Sequence, residues 1–138
     1  MVRVKQMDGY AAHLEDLLVK AIVTLAEKGQ RNNRKLGLLF SGGVDSVLIA
    51  KVLKDHGFNP MCYTVGVKER SIDLKMASKV AEQLGLNIKL IELSDSKVEE
   101  VLKKTARVIK DNDPVRLSIA ATFYPACEKA RSDGVDIL

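Results

Sequence analysis

The stretch Lys35-Leu-Gly-Leu-Leu-Phe-Ser-Gly-Gly-Val-Asp-Ser46 decides how the 138-residue chain reads. Its first half, residues 35–40, is a continuous apolar run of strand length, the pattern of a strand buried on both faces of a parallel sheet. Residues 44–56 then read as a helix, with Val47, Leu48, Val52 and Leu53 on one side and Gly57 as its stop. Gly42 and Gly43 fall where the strand hands over to the helix. A helix N-terminus leaves amides unpaired and carries roughly half a positive charge, so an anion is expected there. The two glycines permit φ > 0 and let phosphate oxygens approach the backbone with no Cβ in the way. Ser41 and Ser46 add hydroxyl donors. Asp45 would repel a bare phosphate, but fits if Mg²⁺ bridges its carboxylate to phosphate oxygens. A Walker A loop needs a Lys after its glycines and a Rossmann fingerprint needs GxGxxG; neither is here. The bland alternative is a tight turn in which Asp45 or Ser46 caps the helix.

Outward from this stretch, strands and helices alternate. Residues 11–28 read as an amphipathic helix carrying Leu14, Leu17, Leu18, Ile22, Leu25 and Ala26, with Gly29 as its stop. Residues 59–67 form a second strand. Ser71 caps a helix to Leu84, which Gly85 ends, and residues 87–93 form a third strand. Ser96 and Glu99 match a capping box opening a helix to about Lys110. After the break at Asp111-Asn-Asp-Pro114, residues 115–131 read as a helix that Pro125 kinks or splits. Residues 135–138 begin a fourth strand. This order predicts a Rossmann-like, three-layer α/β/α fold, a parallel sheet of strand order 3-2-1-4 reached by right-handed crossovers. Because the chain stops within its last strand, residues 1–138 read as a single domain that is the N-terminal part of a longer one.

Composition narrows the function classes. Apolar residues make up 46% and charged residues 29%, an ordinary globular balance. No apolar run reaches the ~18–20 residues that span a bilayer, and the N-terminus lacks the h-region of a signal peptide. Cys62 and Cys127 form no CxxC pair, so neither a disulfide framework nor a zinc site is expected. Both read as buried structural thiols in a reducing cytoplasm. The net charge of +4 suits an anionic ligand such as a nucleotide without requiring nucleic acid. The basic stretch at residues 28–35 reads as a solvated loop, with an RNA-facing patch as the sharper alternative. Aromatic residues, at 4%, are too scarce to build stacking platforms for single strands.

The hexapeptide Ser41–Ser46 resembles the signature loop of the N-type ATP pyrophosphatases, the PP-loop superfamily of asparagine, GMP and NAD synthetases and several tRNA-modifying enzymes. Within it, the chain is most similar to the synthetase domain of asparagine synthetase. Three further stretches carry that likeness: residues 13–22 leading into 35–43, residues 63–67 with Ser71-Ile-Asp-Leu74 and Ala77, and Val115–Ile119 with Gly134–Leu138. The resemblance implies a single PP-loop ATP-binding domain. Leu39 and Val65 would line the adenine pocket, and Ser41, Gly42, Gly43, Val44, Asp45 and Ser46 would hold the pyrophosphate end. Asp73 and Arg116 match positions on the substrate side, and Asp45 meets a metal through Mg-pyrophosphate.

The implied cofactors are ATP and Mg²⁺, and the implied partner is a small-molecule acceptor whose carboxylate or carbonyl oxygen is adenylated with release of pyrophosphate. Catalytic residues are expected beyond Leu138, in an S-G-x-G-x-D-E loop and later segments. A glutaminase needs an N-terminal Cys nucleophile, whereas position 2 is Val. A tRNA-modifying, GMP synthetase-like or NAD synthetase-like enzyme is one alternative, and a non-catalytic nucleotide-binding module another. No membrane association is expected. Either more chain or a homo-oligomer is expected to cover the open edge near Leu138.

Overall fold

The computed structural model describes residues 2–68 and 71–138. In chain order the elements are α1 (Val2–Arg31), β1 (Gly37–Leu39), α2 (Val44–Asp55), β2 (Met61–Val67), α3 (Ile72–Leu84), β3 (Ile88–Leu93), α4 (Asp95–Ile109) and α5 (Pro114–Ser132). The strands form one parallel sheet in the order β1-β2-β3. Gly37 pairs with Met61 and Leu39 with Tyr63, while Tyr63 pairs in turn with Lys89 and Val65 with Ile91. A single isolated parallel bridge joins Leu36 to Ile137 on the far side of β1. The Gly37 amide donates to the Ile137 carbonyl at 2.8 Å. The three strands follow the expected order 3-2-1, and the bridge at Ile137 lies where the fourth strand is expected.

Strand periodicity sorts the core into two faces. Phe40 and Cys62 point to the side of α2 and α3, packing with Ala50, Ala77 and Ala81. Leu39, Tyr63 and Val65 point the other way, against Ala126 and Ala130 of α5. Helices cover the strands from both faces, which is why residues 35–40 read as an unbroken apolar run. The reversal of strand order at β1 opens a crevice at its C-terminal end, where doubly wound sheets bind ligands.

Five local expectations are corrected. Helix α1 runs through Gly29 to Arg31, and its N-terminal side extends past Ala11. Gly29 is buried, and a Cβ there would lie 2.9 Å from Leu36 Cδ2, so this glycine serves close packing. Asn33, at φ 54°, supplies the left-handed residue that ends the helix. Of the six apolar residues expected to face the core, Ile22 and Ala26 do so, whereas Leu14, Leu17, Leu18 and Leu25 are exposed. Helix α4 is capped by Ser94, not Ser96: the Ser94 hydroxyl accepts from the Lys97 amide at 3.3 Å. Pro125 lies inside one continuous helix, its ring buried on the packed side of α5. Finally, Cys62 is buried as expected but Cys127 is exposed. Among the described residues, no helix is long and apolar enough to cross a membrane.

Candidate nucleotide site

The loop between β1 and α2 is held by its own short-range bonds. The Ser46 hydroxyl donates to the Gly43 carbonyl at 3.0 Å and accepts from the Ser41 amide at 3.3 Å. The Gly43 amide donates to Ser41 Oγ at 3.2 Å, and the two serine hydroxyls lie 3.2 Å apart. Both hydroxyls thus shape the loop from within, and the single Ser46 proton is committed to the Gly43 carbonyl, so Ser46 is not the free surface donor expected from the sequence. Gly42 adopts φ +75°, whereas Gly43 is extended at φ −76°, so only one of the pair uses the left-handed region.

Gly43 is the N-cap of α2, and no side chain caps this helix. Neither Asp45 nor Ser46 takes that role, which removes the bland alternative. Helices α3, α4 and α5 are each capped by a side chain: Ser71 for the Leu74 amide, Ser94 for Lys97 and Asp113 for Arg116. The first-turn amides of α2, at Val44, Asp45 and Ser46, therefore keep the orphan donors and positive dipole end that the other three helices neutralise. Asp45 stands in that first turn with its side chain exposed.

Beside the loop lies a cavity of about 310 Å³. Leu39, Phe40 and Ser41 bound it from β1 and the loop, Tyr63, Thr64 and Val65 from β2, and Thr122, Phe123 and Ala126 from α5. Its walls are mainly apolar, as base-binding clefts are. Asp73, in the first turn of α3, adds a carboxylate. That turn comes close because residue 66 is glycine: a Cβ there would fall 2.6 Å from Leu74 Cγ. The buried Thr64 hydroxyl donates to the Phe40 carbonyl and ties β2 to the start of the loop.

Tyr63 is fixed from below. Its hydroxyl donates to Asp133 at 2.9 Å, and Lys89 and Lys129 reach the same carboxylate at 2.7 and 2.6 Å. Burial, reinforced by Asp133, pushes the Tyr63 phenol up to about 12. The Asp133 carboxyl is held well below the usual carboxylate range, chiefly by Lys129 and then by Lys89.

The structure thus places Leu39, Ser41, Val65 and Asp73 around one cavity. Gly42, Gly43, Asp45 and Ser46 form the adjoining loop and first helical turn, where Val44 points outward, largely exposed. Arg116 is elsewhere: it is exposed and pairs with Asp111 at 2.9 Å, outside the cavity wall. Sequence reasoning missed Thr122, Phe123 and Ala126. The only available signal was the alternation of small and large residues in α5, and Pro125 obscured it by suggesting a broken helix.

Known proteins resemble this chain in sequence and in fold. The asparagine synthase family matches residues 13–138. A glutamine-hydrolysing asparagine synthetase homologue of Methanocaldococcus jannaschii is 32% identical over 124 residues, covering 90% of this chain and 23% of that protein. One of the subunits of a glutamine-hydrolysing GMP synthase from Methanococcus maripaludis is 31% identical over 114 residues, covering 79% of this chain and 35% of that protein. The chain therefore spans roughly a quarter to a third of the length of these relatives. Among solved structures, the NMN synthetase of Francisella tularensis superposes with a TM-score of 0.60 at 16% identity, covering 89% of this chain and 52% of that one. At that identity the likeness speaks for the fold, and the fold is the PP-loop one. The chain belongs to the asparagine synthase family, within the PP-loop ATP pyrophosphatase superfamily.

Proposed function

We propose that this chain is the ATP-binding portion of a synthetase domain that activates a carboxylate as its adenylate and goes on to form an amide. The observation that carries this reading is the uncapped N-terminus of α2, set behind Gly42 at the strand-order reversal and opening beside an apolar cavity. The adenine ring fits against Leu39, Val65 and Phe123, and the phosphates run along the amides of the loop and the first helical turn. The acceptor oxygen attacks the α-phosphorus, the bond from that phosphorus to the bridging oxygen breaks, and pyrophosphate departs. Ammonia then adds to the acyl carbon, loses a proton, and AMP leaves with the bonding electrons. Aspartate is the acceptor that the family match favours.

Mg²⁺ suits this loop as an ion carried in with the phosphates. Among the described residues no group of three or more His, Cys, Asp or Glu side chains forms a cage, and Asp45 offers one carboxylate where polyphosphate oxygens would complete the shell. When bound, the ion neutralises developing charge on the leaving pyrophosphate. The chain itself contributes position and fixed amide dipoles, which need no reorganisation as charge develops. To Asp73, also in the cavity wall, this reading gives the role of orienting the acceptor.

Titration calorimetry with ATP, GTP and inorganic triphosphate tests the reading. ATP should bind best with Mg²⁺ present, triphosphate more weakly, and GTP least. Absence of heat with every adenine nucleotide would refute it.

A further inference from the structure

Tyr63 lines the cavity beside the loop, yet it is only 1% exposed and its hydroxyl ends on Asp133. Neither Asp133 nor its partners Lys89 and Lys129 line that cavity. The side chain therefore runs from the cavity to an ion cluster outside it. Along β2, Tyr63 precedes Val65 by two residues on the same face. That sets it roughly 7 Å further from the C-terminal end of the strand, where the crevice opens. Tyr63 is the floor of the cavity, with Leu39 and Val65 above it.

This floor cannot yield. Residue 37 is glycine, and a Cβ there would come 3.3 Å from Tyr63 Cε2, so the ring lies close against β1. On α5 the residues packed with it are Ala126 and Ala130, both small and both buried. The hydroxyl donates to Asp133 at 2.9 Å, and that carboxylate is pinned in turn by Lys89 of β3 and Lys129 of α5. To move aside, the ring would have to break a hydrogen bond and enter space already filled by main chain. Phe123, the other aromatic residue of the wall, is 45% exposed and has solvent to move into.

We propose that the Tyr63 ring is the specificity-determining floor of the base site, stopping the base at Leu39 and Val65 and excluding purines enlarged on their inward edge. The inference rests on the nucleotide reading above and adds to it the residue that limits depth. A substituent on the inward edge meets a side chain fixed from three directions, and overpacking of that kind is not relieved by small shifts.

Titration calorimetry on the full chain with ATP, N6-benzyl-ATP and 2-methylthio-ATP tests this, the two analogues enlarging the base on different edges. At least one analogue should bind the unaltered chain ~10-fold or more weakly than ATP. Tyr63→Leu, which removes the ring, should reduce that penalty to about threefold or less, whereas Tyr63→Phe, which keeps the ring, should retain it. Each penalty is a ratio to ATP for the same variant, so a general loss of affinity cancels. Three results overturn the proposal: both analogues binding the unaltered chain as tightly as ATP, a full penalty in folded Tyr63→Leu, or a Tyr63→Phe as permissive as Tyr63→Leu. The first needs no variant and decides the matter even if Tyr63→Leu does not fold. Failure of ATP itself to bind would instead refute the underlying nucleotide reading, and this proposal with it.

Discussion

Gly42 lies against the backbone of Ala77 so closely that a Cβ on residue 42 would sit 3.0 Å from Ala77 Cα and 3.1 Å from its nitrogen. The neighbour is main chain at the centre of α3 and cannot swing aside. Gly42 also holds φ +75°, where side chains are strained regardless of space. Gly42→Ala should therefore destabilise the fold by about 1–3 kcal/mol, and push the loop away from α3. Chemical denaturation should show the lowered midpoint, and calorimetry a loss of ATP affinity larger than the loss of stability explains. A variant of unaltered stability would mean that α3 yields at Ala77.

Asp45→Ala separates ion recruitment from folding. The side chain is exposed in the first turn of α2 and caps nothing, so stability should change by no more than about 0.5 kcal/mol. In the complete synthetase, ATP–pyrophosphate exchange should fall to background. Exchange that persists in the folded variant would remove Asp45 from the proposed Mg²⁺ shell.

The cluster beneath Tyr63 predicts how stability follows pH. Asp133 titrates lower in the folded chain than unfolded, so its contribution is present above the unfolded value of about 3.9 and is lost as pH falls through the folded one. Asp133→Asn should lower stability at neutral pH and flatten the acid limb below about pH 4. At the alkaline end the sign reverses. Tyr63 holds its proton to about 12 when folded and to about 10 when unfolded, so its contribution is complete below the unfolded value and is lost as pH rises toward the folded one. Tyr63→Phe should flatten the alkaline limb and, by taking one hydrogen bond from Asp133, shallow the acid limb slightly. Denaturation midpoints measured across both limits check the pair.

The two thiols should differ in reactivity. Cys127 is exposed on α5, whereas Cys62 is buried in β2 and burial pushes its thiol up to about 11. A thiol-specific reagent at neutral pH should modify one cysteine per native chain and both after denaturation, with peptide mapping locating the first at Cys127. Rapid modification of Cys62 would indicate that β2 opens.

How legible all this is from residues depends on what each pattern encodes. The apolar run at residues 35–40 and the alternation of strands with helices encode burial on both faces; hence the parallel layered sheet and the loop position could be read directly, whereas the strand order came with the family resemblance. Gly85 and Ser71 act as expected because a left-handed stop and a hydroxyl cap are local devices. Gly29 misleads since a glycine that stops a helix and one that admits a neighbour look alike until Leu36 and Ile137 are folded against it. The leucines of α1 mislead for a related reason: three- and four-residue spacing shows that a stripe exists but not what covers it. Thr122, Phe123 and Ala126 were invisible as cavity walls because only the packing of α5 on β2 brings them to Leu39 and Val65.

With glycine as its N-cap, α2 forgoes only about a few tenths of a kcal/mol of helix stability against a side-chain cap, but its first-turn amides stay unpaired. A bound polyphosphate would supply what is lacking, so occupancy and folding become linked: at a nucleotide level a hundred times the dissociation constant, the gain is about 2.7 kcal/mol. Chains short of ATP would then open locally at α2 more often than supplied ones. The melting temperature of this protein becomes a gauge of the free nucleotide around it.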